Sequence, residues 1–367
     1  MLRKILKSID YSLIIIALAL FIIGIIALHS ANGGVNGNME EVTKQFIWFF
    51  IGIISMSLVM FIDYDIYKKL WIPIYLLTIV SLVLVLFTKP IYGARSWFTF
   101  KGVSIQPGEI AKITLIIGLG RLLELFKEKG KLNHPIYILM VLMYVAIPVT
   151  LLALQPDFGT AMVFLVVAAV MIFIAGINVG YIIGAFVTVV LGIFLAYHYL
   201  LPPYAINRIN VFLNPGSDPK GAGYNIIQSE LAVGSGQMWG MGIHNGNQSQ
   251  LGYLPMKTTD FIYAVISEEM GFVMSVAVVA LFVFLIGKSV YIGKTAKDKY
   301  GSLLVVGIAG MFLAHFVENV GMNIGLMPIT GIPLPFISYG GSSMITNFVG
   351  LGIILSVSAR RSKKMFE

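Results

Sequence analysis

Cysteine is absent from all 367 residues. Its absence removes thiol nucleophiles, cysteine-ligated zinc, iron–sulfur clusters and disulfide stapling. Charge is scarce too: Asp, Glu, Lys and Arg make up 11% of the chain, where a soluble domain carries about a quarter. Acids are the scarcer kind, 17 Asp+Glu against 25 Lys+Arg, for a net charge of +8. With 58% hydrophobic residues and a mean hydropathy of +0.89, a soluble globular enzyme and a disordered chain are both excluded. What is abundant is apolar sequence, together with 38 glycines. That is the composition of a polytopic membrane protein.

A helix needs about 20 apolar residues to cross the hydrocarbon core. The runs predict an all-α protein with ten transmembrane helices, at roughly 12–29, 46–62, 70–87, 109–126, 135–154, 160–177, 179–200, 261–287, 302–326 and 342–359. A β-barrel is disfavoured because the runs are continuous rather than alternating. Met1 to Lys7 has the charge of a signal-peptide n-region, but the apolar stretch behind it is too long and lacks a small-x-small site, so an uncleaved first helix is expected. Counting cations by the positive-inside rule puts Arg3, Lys4, Lys7, Lys68, Lys69, Lys127, Lys129, Lys131, Lys288, Lys294, Lys297, Lys299, Arg360, Arg361, Lys363 and Lys364 in the cytoplasm. The outer loops hold Lys44, Lys89, Arg95, Lys101, Arg208, Lys220 and Lys257. Both termini are then cytoplasmic, the protein sits in the cell membrane, and the basic balance needs no nucleic-acid partner.

Residues 1–367 read as one integral-membrane domain with two long extracellular loops, 88–108 and 201–260, the second between helices 7 and 8. Long loops inside compact folds usually carry function. Tyr224 to Val233 has apolar residues at helical spacing and predicts a short amphipathic helix, with a Gly-rich turn at Gly234-Ser235-Gly236.

Ionisable residues inside spans are costly and are paired or functional. Glu109 and Lys112 share a helix face at the outer end of the fourth span, and Arg121 with Glu124 repeats that spacing near its inner end as a structural ion pair. Adjacent Glu268 and Glu269 point about 100° apart, so they cannot form a catalytic dyad, and at least one needs a polar partner. Asp157 and Asp260 stand immediately before spans, where an Asp can simply cap a helix. Trp97 suits an interfacial belt as well as a sugar or lipid contact. No HExxH, P-loop or metal-spaced His pair occurs, so zinc hydrolysis and ATP-driven transport have no motif.

The same stretches resemble the SEDS family (shape, elongation, division and sporulation) of membrane peptidoglycan polymerases, over nearly the whole chain. The markers are Ile62-Asp63-Tyr64, Trp97-Phe98, Gln106-Pro107-Gly108-Glu109-Ile110-Ala111-Lys112 and Gln155-Pro156-Asp157-Phe158-Gly159-Thr160. They continue through Gly223-Tyr224-Asn225, Gln228-Ser229, Gly234-Ser235-Gly236, Leu254-Pro255, Thr259-Asp260-Phe261-Ile262, Glu268-Glu269-Met270-Gly271 and Asn319-Val320-Gly321-Met322, to Pro328 through Ser343. The short N-terminal tail and Gly221 to Asn225 resemble the elongation branch, RodA, more than the division branch, FtsW, with the sporulation branch open.

The resemblance implies a glycosyltransferase that polymerises lipid II on the outer membrane face for cell-wall growth. It implies Asp260 as the catalytic carboxylate, Trp97, Glu109 and Lys112 as matching site positions, and a class B penicillin-binding protein, the cross-linking transpeptidase, as partner. The chain departs from the family at Met256 and Thr258, where Glu and His are common, at Gly108 for Ser and at His315 for Gln.

Transfer of a sugar from a polyprenyl diphosphate needs no acid for its leaving group, so one carboxylate suffices where a glycosidase uses two. Asp260 is expected to act as general base. Lys112, Arg208 and Arg95 are expected to hold the diphosphate, Mg²⁺ or Mn²⁺ on Asp260 or Asp157 is a candidate helper, and Ser342 lies in the Gly-rich segment facing the outer cavity. The alternatives are a lipid-linked precursor flippase, against which no internal repeat is found, and a non-catalytic scaffold for the transpeptidase.

Overall fold

The structure is a computed structural model; it describes residues 8–33, 39–91, 93–100, 103–199, 206, 210–219 and 221–361. Arg208 therefore lies outside the described residues, as do Arg3, Lys4, Lys7, Lys101, Lys220, Lys363 and Lys364. The chain is almost wholly helical. In order it forms α1 (Tyr11–Ala31), α2 (Glu40–Phe61), α3 (Asp65–Val85), a hairpin of β1 (Phe98–Phe100) and β2 (Val103–Ile105), α4 (Pro107–Glu128), α5 (Pro135–Leu154), α6 (Phe158–Ala175) and α7 (Val179–Tyr199). After the long connection come α8 (Ala222–Ser235), a one-turn helix (Asn247–Gln250), α9 (Ile262–Lys294), α10 (Lys299–Asn323) and α11 (Gly341–Arg360).

Among the described residues, eight helices are long and apolar enough to cross a membrane, so the chain is a multi-pass membrane protein. Two expected spans fall outside that group. α4 carries Glu109, Lys112, Arg121, Glu124, Lys127 and Glu128, and it survives by sitting inside, buried along most of its length. α7 is apolar, but its described apolar stretch, Val179–Gly192, is shorter than the eight.

Burial sorts the layers. The apolar windows of α10 and α11 are 78% buried, that of α3 only 17%, so α3 faces lipid while α10 forms the axis. α10 packs on α9, α6, α4 and α11, and α11 lies along α2. Close approach is bought with glycine at the tightest crossings: a Cβ on Gly352 would stand 2.7 Å from the Met56 carbonyl. The hairpin pairs Phe98 with Ile105, Thr99 with Ser104 and Phe100 with Val103. It leads into α4, whose Pro107 sits in the first turn, where no amide donor is needed.

The expected amphipathic helix exists as α8, and it runs on through Gly234 rather than turning there. α9 is not continuous. Gly271 adopts φ 74°, ψ −175°, outside the helical region, and the 236–242 segment is threaded against the break. Met241 N and Gly242 N donate to the carbonyls of Glu268 and Glu269, and Phe272 N and Val273 N donate to Gln237 and Met238. A Cβ on Gly271 would lie 2.3 Å from the Gly240 amide nitrogen, so only glycine fits. Between Ile262 and Gly287 only Glu268 and Glu269 are charged and no proline occurs, which is why the sequence reads as a straight span.

Candidate active site

Asp260 closes a tight turn that precedes α9. The Met256 carbonyl accepts the amides of Thr259, Asp260 and Phe261 at 3.2, 3.1 and 3.2 Å, with Met256 itself in the left-handed region. Four further bonds clamp the turn from outside. Asn319 Nδ2 and Asn323 Nδ2, one turn apart on α10, donate to the Asp260 carbonyl at 2.9 and 3.0 Å. Ser338 Oγ donates to the Thr259 carbonyl at 2.6 Å, and Tyr339 N to the Thr258 carbonyl at 2.9 Å. Gln45 of α2 holds this last segment in turn, donating to Ser338 O and accepting from Gly340 N. The backbone of Asp260 is thus fixed by residues from three distant parts of the chain.

Its carboxyl joins no ion pair among the described residues, and burial pushes its pKa up to about 6, against the opposing effect of a hydrogen bond from Thr259. The side chain keeps some exposure and faces Gly331, where a Cβ would come 3.5 Å from Oδ2. A carboxylate that is poorly hydrated, unpaired and still reachable is suited to accept a proton near neutral pH.

Lys112 is close-packed beneath the same segment. Its Nζ donates to Glu109 Oε1 at 2.8 Å and meets His315 Nε2 at 2.7 Å. His315 Nδ1 lies 3.1 Å from the Pro333 carbonyl, which can only accept, so Nδ1 carries the proton and Nε2 receives the ammonium. Glu109, Lys112 and His315 are all at most 2% exposed. Lys112 therefore ties α4 to α10 and presents no free ammonium. One turn beyond His315, Glu318 is 2% exposed and, among the described residues, neither of its carboxylate oxygens is hydrogen-bonded; one oxygen of Glu109 is likewise unpartnered there.

The other candidates separate by environment. Asp157 caps α6, accepting from Thr160 N at 3.2 Å, and its second oxygen takes Gln106 Nε2 at 2.7 Å. Ser342 Oγ accepts from Gln106 N at 3.2 Å and donates to Ser104 O at 3.4 Å, pinning the hairpin to the start of α11. Arg95 is exposed and donates to the Leu86 carbonyl; Trp97 is partly exposed just before β1. Glu268 and Glu269 both find partners under the long connection. Glu268 accepts the amides of Gln248 and Ser249, and Glu269 accepts Ser249 Oγ and Gln250 Nε2. Lys257 donates to Ser249 O at 2.5 Å, and burial lowers its pKa. Among the described residues no three His, Asp or Glu side chains are grouped to hold a metal ion.

Asn323, Ser338 and Gln45 did not stand out as site residues in the sequence, because each acts through backbone groups far away in the chain. The one readable signal was Asn319 and Asn323, polar residues four apart on one face of an apolar span.

Comparison with known proteins gives concordant matches. The family profile of the cell cycle proteins FtsW, RodA and SpoVE matches residues 10–363. A probable peptidoglycan glycosyltransferase FtsW of Geobacter sp. (strain M18) is 36% identical over 365 residues, covering 96% of this chain and 97% of that protein. The peptidoglycan glycosyltransferase RodA of Treponema pallidum (strain Nichols) is 33% identical, covering 96% and 98%. Among solved structures, one concerned with how a peptidoglycan synthase complex coordinates polymerization and crosslinking superposes with a TM-score of 0.83. That match is at 28% identity and covers 97% of this chain and 99% of its own.

Proposed function

The chain belongs to the SEDS family of cell cycle proteins, with FtsW, RodA and SpoVE, and we propose that it is a peptidoglycan glycosyltransferase whose general base is Asp260. Its substrate is lipid II and its product a glycan strand for cell-wall growth, elongation being the branch favoured by the motifs around Gly221 to Asn225. In this reading α1 to α7 and α9 to α11 all span the membrane with both termini cytoplasmic. The end that carries Asp260 faces outward, and Lys68, Lys288 and Arg360 gather at the inner end as the positive-inside rule requires.

The observation that carries the mechanism is the contrast within one residue: the Asp260 backbone is clamped, while its carboxyl is unpaired and poised near pH 6. The acceptor hydroxyl oxygen attacks the anomeric carbon of the donor as its proton passes to Asp260. A new C–O bond forms, the bond to diphosphate breaks, and the electron pair leaves with the polyprenyl diphosphate. A base with a pKa slightly below ambient is ionised yet still basic enough to take that proton. The four backbone clamps keep its geometry, and positioning of this kind lowers the barrier without any further group.

Arg95 and Arg208 are assigned to the diphosphate, and Trp97 to a sugar or prenyl face. Lys112 joins them only on release from Glu109 and His315; Glu109, Asp157 and Ser342 act by holding the walls of the site. A lone carboxylate such as Asp260 or Asp157 fits Mg²⁺ or Mn²⁺ only together with substrate phosphates; bound there, the ion would stabilise the leaving diphosphate. The cross-linking partner is assigned to the class B penicillin-binding proteins, a reading supported by the likeness to a synthase complex.

The test is labelled lipid II supplied to the purified chain in proteoliposomes, with and without a transpeptidase. Wild type should build glycan, and Asp260→Asn and Asp260→Ala should lose about 100-fold or more. Polymer at near wild-type rate from Asp260→Ala would remove Asp260 from the mechanism. Movement of lipid II between leaflets without polymer would replace the enzyme by a carrier.

A further inference from the structure

A cavity of about 500 Å³ opens where α9 is broken, between α8, the threaded 236–242 segment and the far end of α10. We propose that it is the seat of one acyl chain of an outer-leaflet glycerophospholipid, held as a resident lipid beside the Asp260 turn.

Depth is the first argument. From the break to Lys294, α9 is about 35 Å long at 1.5 Å per residue, close to the roughly 30 Å hydrocarbon thickness. With Lys294 at one membrane surface, Gly271 and the cavity mouth lie at the other. Non-helical backbone survives at such a depth only where protein satisfies it, and the four amide bonds across the break do so. The rim has the make-up of an interfacial belt: Trp239 is 80% exposed and Phe272 58%, with Met238 and Met241 beside them. That this surface is the outer one rests on the topology proposed above; the cavity itself does not.

Lining chemistry selects the occupant. Val233, Phe272, Val276 and Ile324 supply apolar walls, while Tyr263, Ser267 and Ser275 supply hydroxyls and Gln237 an amide. Ser275 Oγ lies 2.9 Å from both Ser267 Oγ and the Gly271 carbonyl, against the buried backbone of the break. None of the described lining residues is ionised, so this lining offers a diphosphate no cation. Neutral ester carbonyls above an acyl chain need only a neutral donor; Ser267 and Ser275 already donate within the chain, so the Gln237 amide and the Tyr263 hydroxyl fill that part. The volume falls in the range that holds a drug-sized ligand.

The position links the lipid to the catalytic turn. Tyr263 is one helical turn beyond Asp260, and Ile324 follows Asn323, whose side chain holds the Asp260 carbonyl. A chain lodged there packs between the two elements that clamp the base.

Gly234 gives a clean way to plug the cavity, since a side chain built on it meets nothing within 4 Å and helix formation favours replacing glycine. The full-length protein is placed in nanodiscs with phosphatidylglycerol carrying a photoactivatable acyl chain, and crosslinks are mapped by peptide mass spectrometry. Wild type should be labelled within 263–276 and at Met238. Gly234→Trp should cut that labelling about tenfold, Gly234→Ala should not, and Val276→Trp should repeat the loss from the opposite wall. Excess polyprenyl diphosphate should leave the labelling unchanged, and added phospholipid should raise the Tm of wild type by about 3–5 °C but not that of the Trp variants. Labelling that is absent in wild type, or unmoved in both Trp variants, overturns the proposal. So does competition by polyprenyl diphosphate, which would make the cavity a substrate seat, or by a transpeptidase membrane segment, which would make it a partner's. Because crosslinking is the readout, failure here is distinguishable from failure of Asp260 as the base.

Discussion

Lys68 and Lys112 are both drawn into the bundle, one at each end, and their surroundings differ in kind. Lys68 reaches Glu124 at 3.1 Å, Asp65 at 3.2 Å and Asp298 at 3.8 Å, while Arg121 takes the second oxygen of Glu124 at 2.7 Å. Tyr64 completes the cluster by donating to Asp298. Lys112 is paired too, with Glu109 and His315, but the matching around it is incomplete. Among the described residues, the buried carboxylate oxygens left without a partner belong to Glu109, Glu269 and Glu318, all at the end that carries Asp260. Each such group costs about 1–3 kcal/mol. One end uses its charge to lock helices together; the other carries the cost of groups not yet matched, as folds commonly do where they perform chemistry.

Removing the free carboxyl should widen the contrast most. Asp260→Asn is expected to abolish polymerisation and yet stabilise the fold. An acid whose folded pKa is raised from 3.8 to about 6 favours its protonated form in the native state, so the stability it contributes is lost as pH rises through about 6. The neutral Asn escapes this, a gain of about 3 kcal/mol at pH 7.5, read as a higher Tm in detergent. A lower Tm would show that the carboxyl is structural.

Loosening the clamp comes next. Asn319→Ala leaves the Asp260 carbonyl with one donor fewer and should slow polymerisation about 10- to 100-fold, lowering kcat while the acid limb of the pH profile stays in place. Wild type should show that limb as a single ionisation near pH 6 in kcat, activity falling as the pH is lowered through it; a flat profile between pH 5 and 7 would remove the base. At the opposite end, Glu124→Gln should do the reverse of Asp260→Asn. It removes the carboxylate that Lys68 and Arg121 share, leaving Lys68 with Asp65 and Asp298, costs about 1–3 kcal/mol, and leaves the rate per folded molecule unchanged. A rate loss there exceeding the loss of folded protein would erase the distinction between the ends.

Much of the scaffold could be read directly. Expected spans at 135–154 and 179–200 correspond to α5 and α7 nearly residue for residue, because hydrocarbon demands a run of fixed length and the run is visible. The pairing of Lys112 with Glu109 and of Arg121 with Glu124 also followed from helix spacing, as did the capping role of Asp157. Other features had no local signature. The break at Gly271 is made by a segment 30 residues upstream, and His315 meets Lys112 across 203 residues of sequence. Lys112, expected to face a diphosphate, is enclosed because α10 brings an imidazole to it, and nothing near Lys112 in the chain announces that.

The amino-acid order alone settled that this is a multi-pass helical membrane protein, where its helices lie, and which carboxylates are candidates, since transfer energies and helix periodicity act over a few neighbouring residues. Which of those carboxylates is satisfied and which stays free was decided by the folded bundle. A hydrogen bond depends on where its two partners meet in space, and only the packing of α4, α9, α10 and the 330–339 segment against one another sets that.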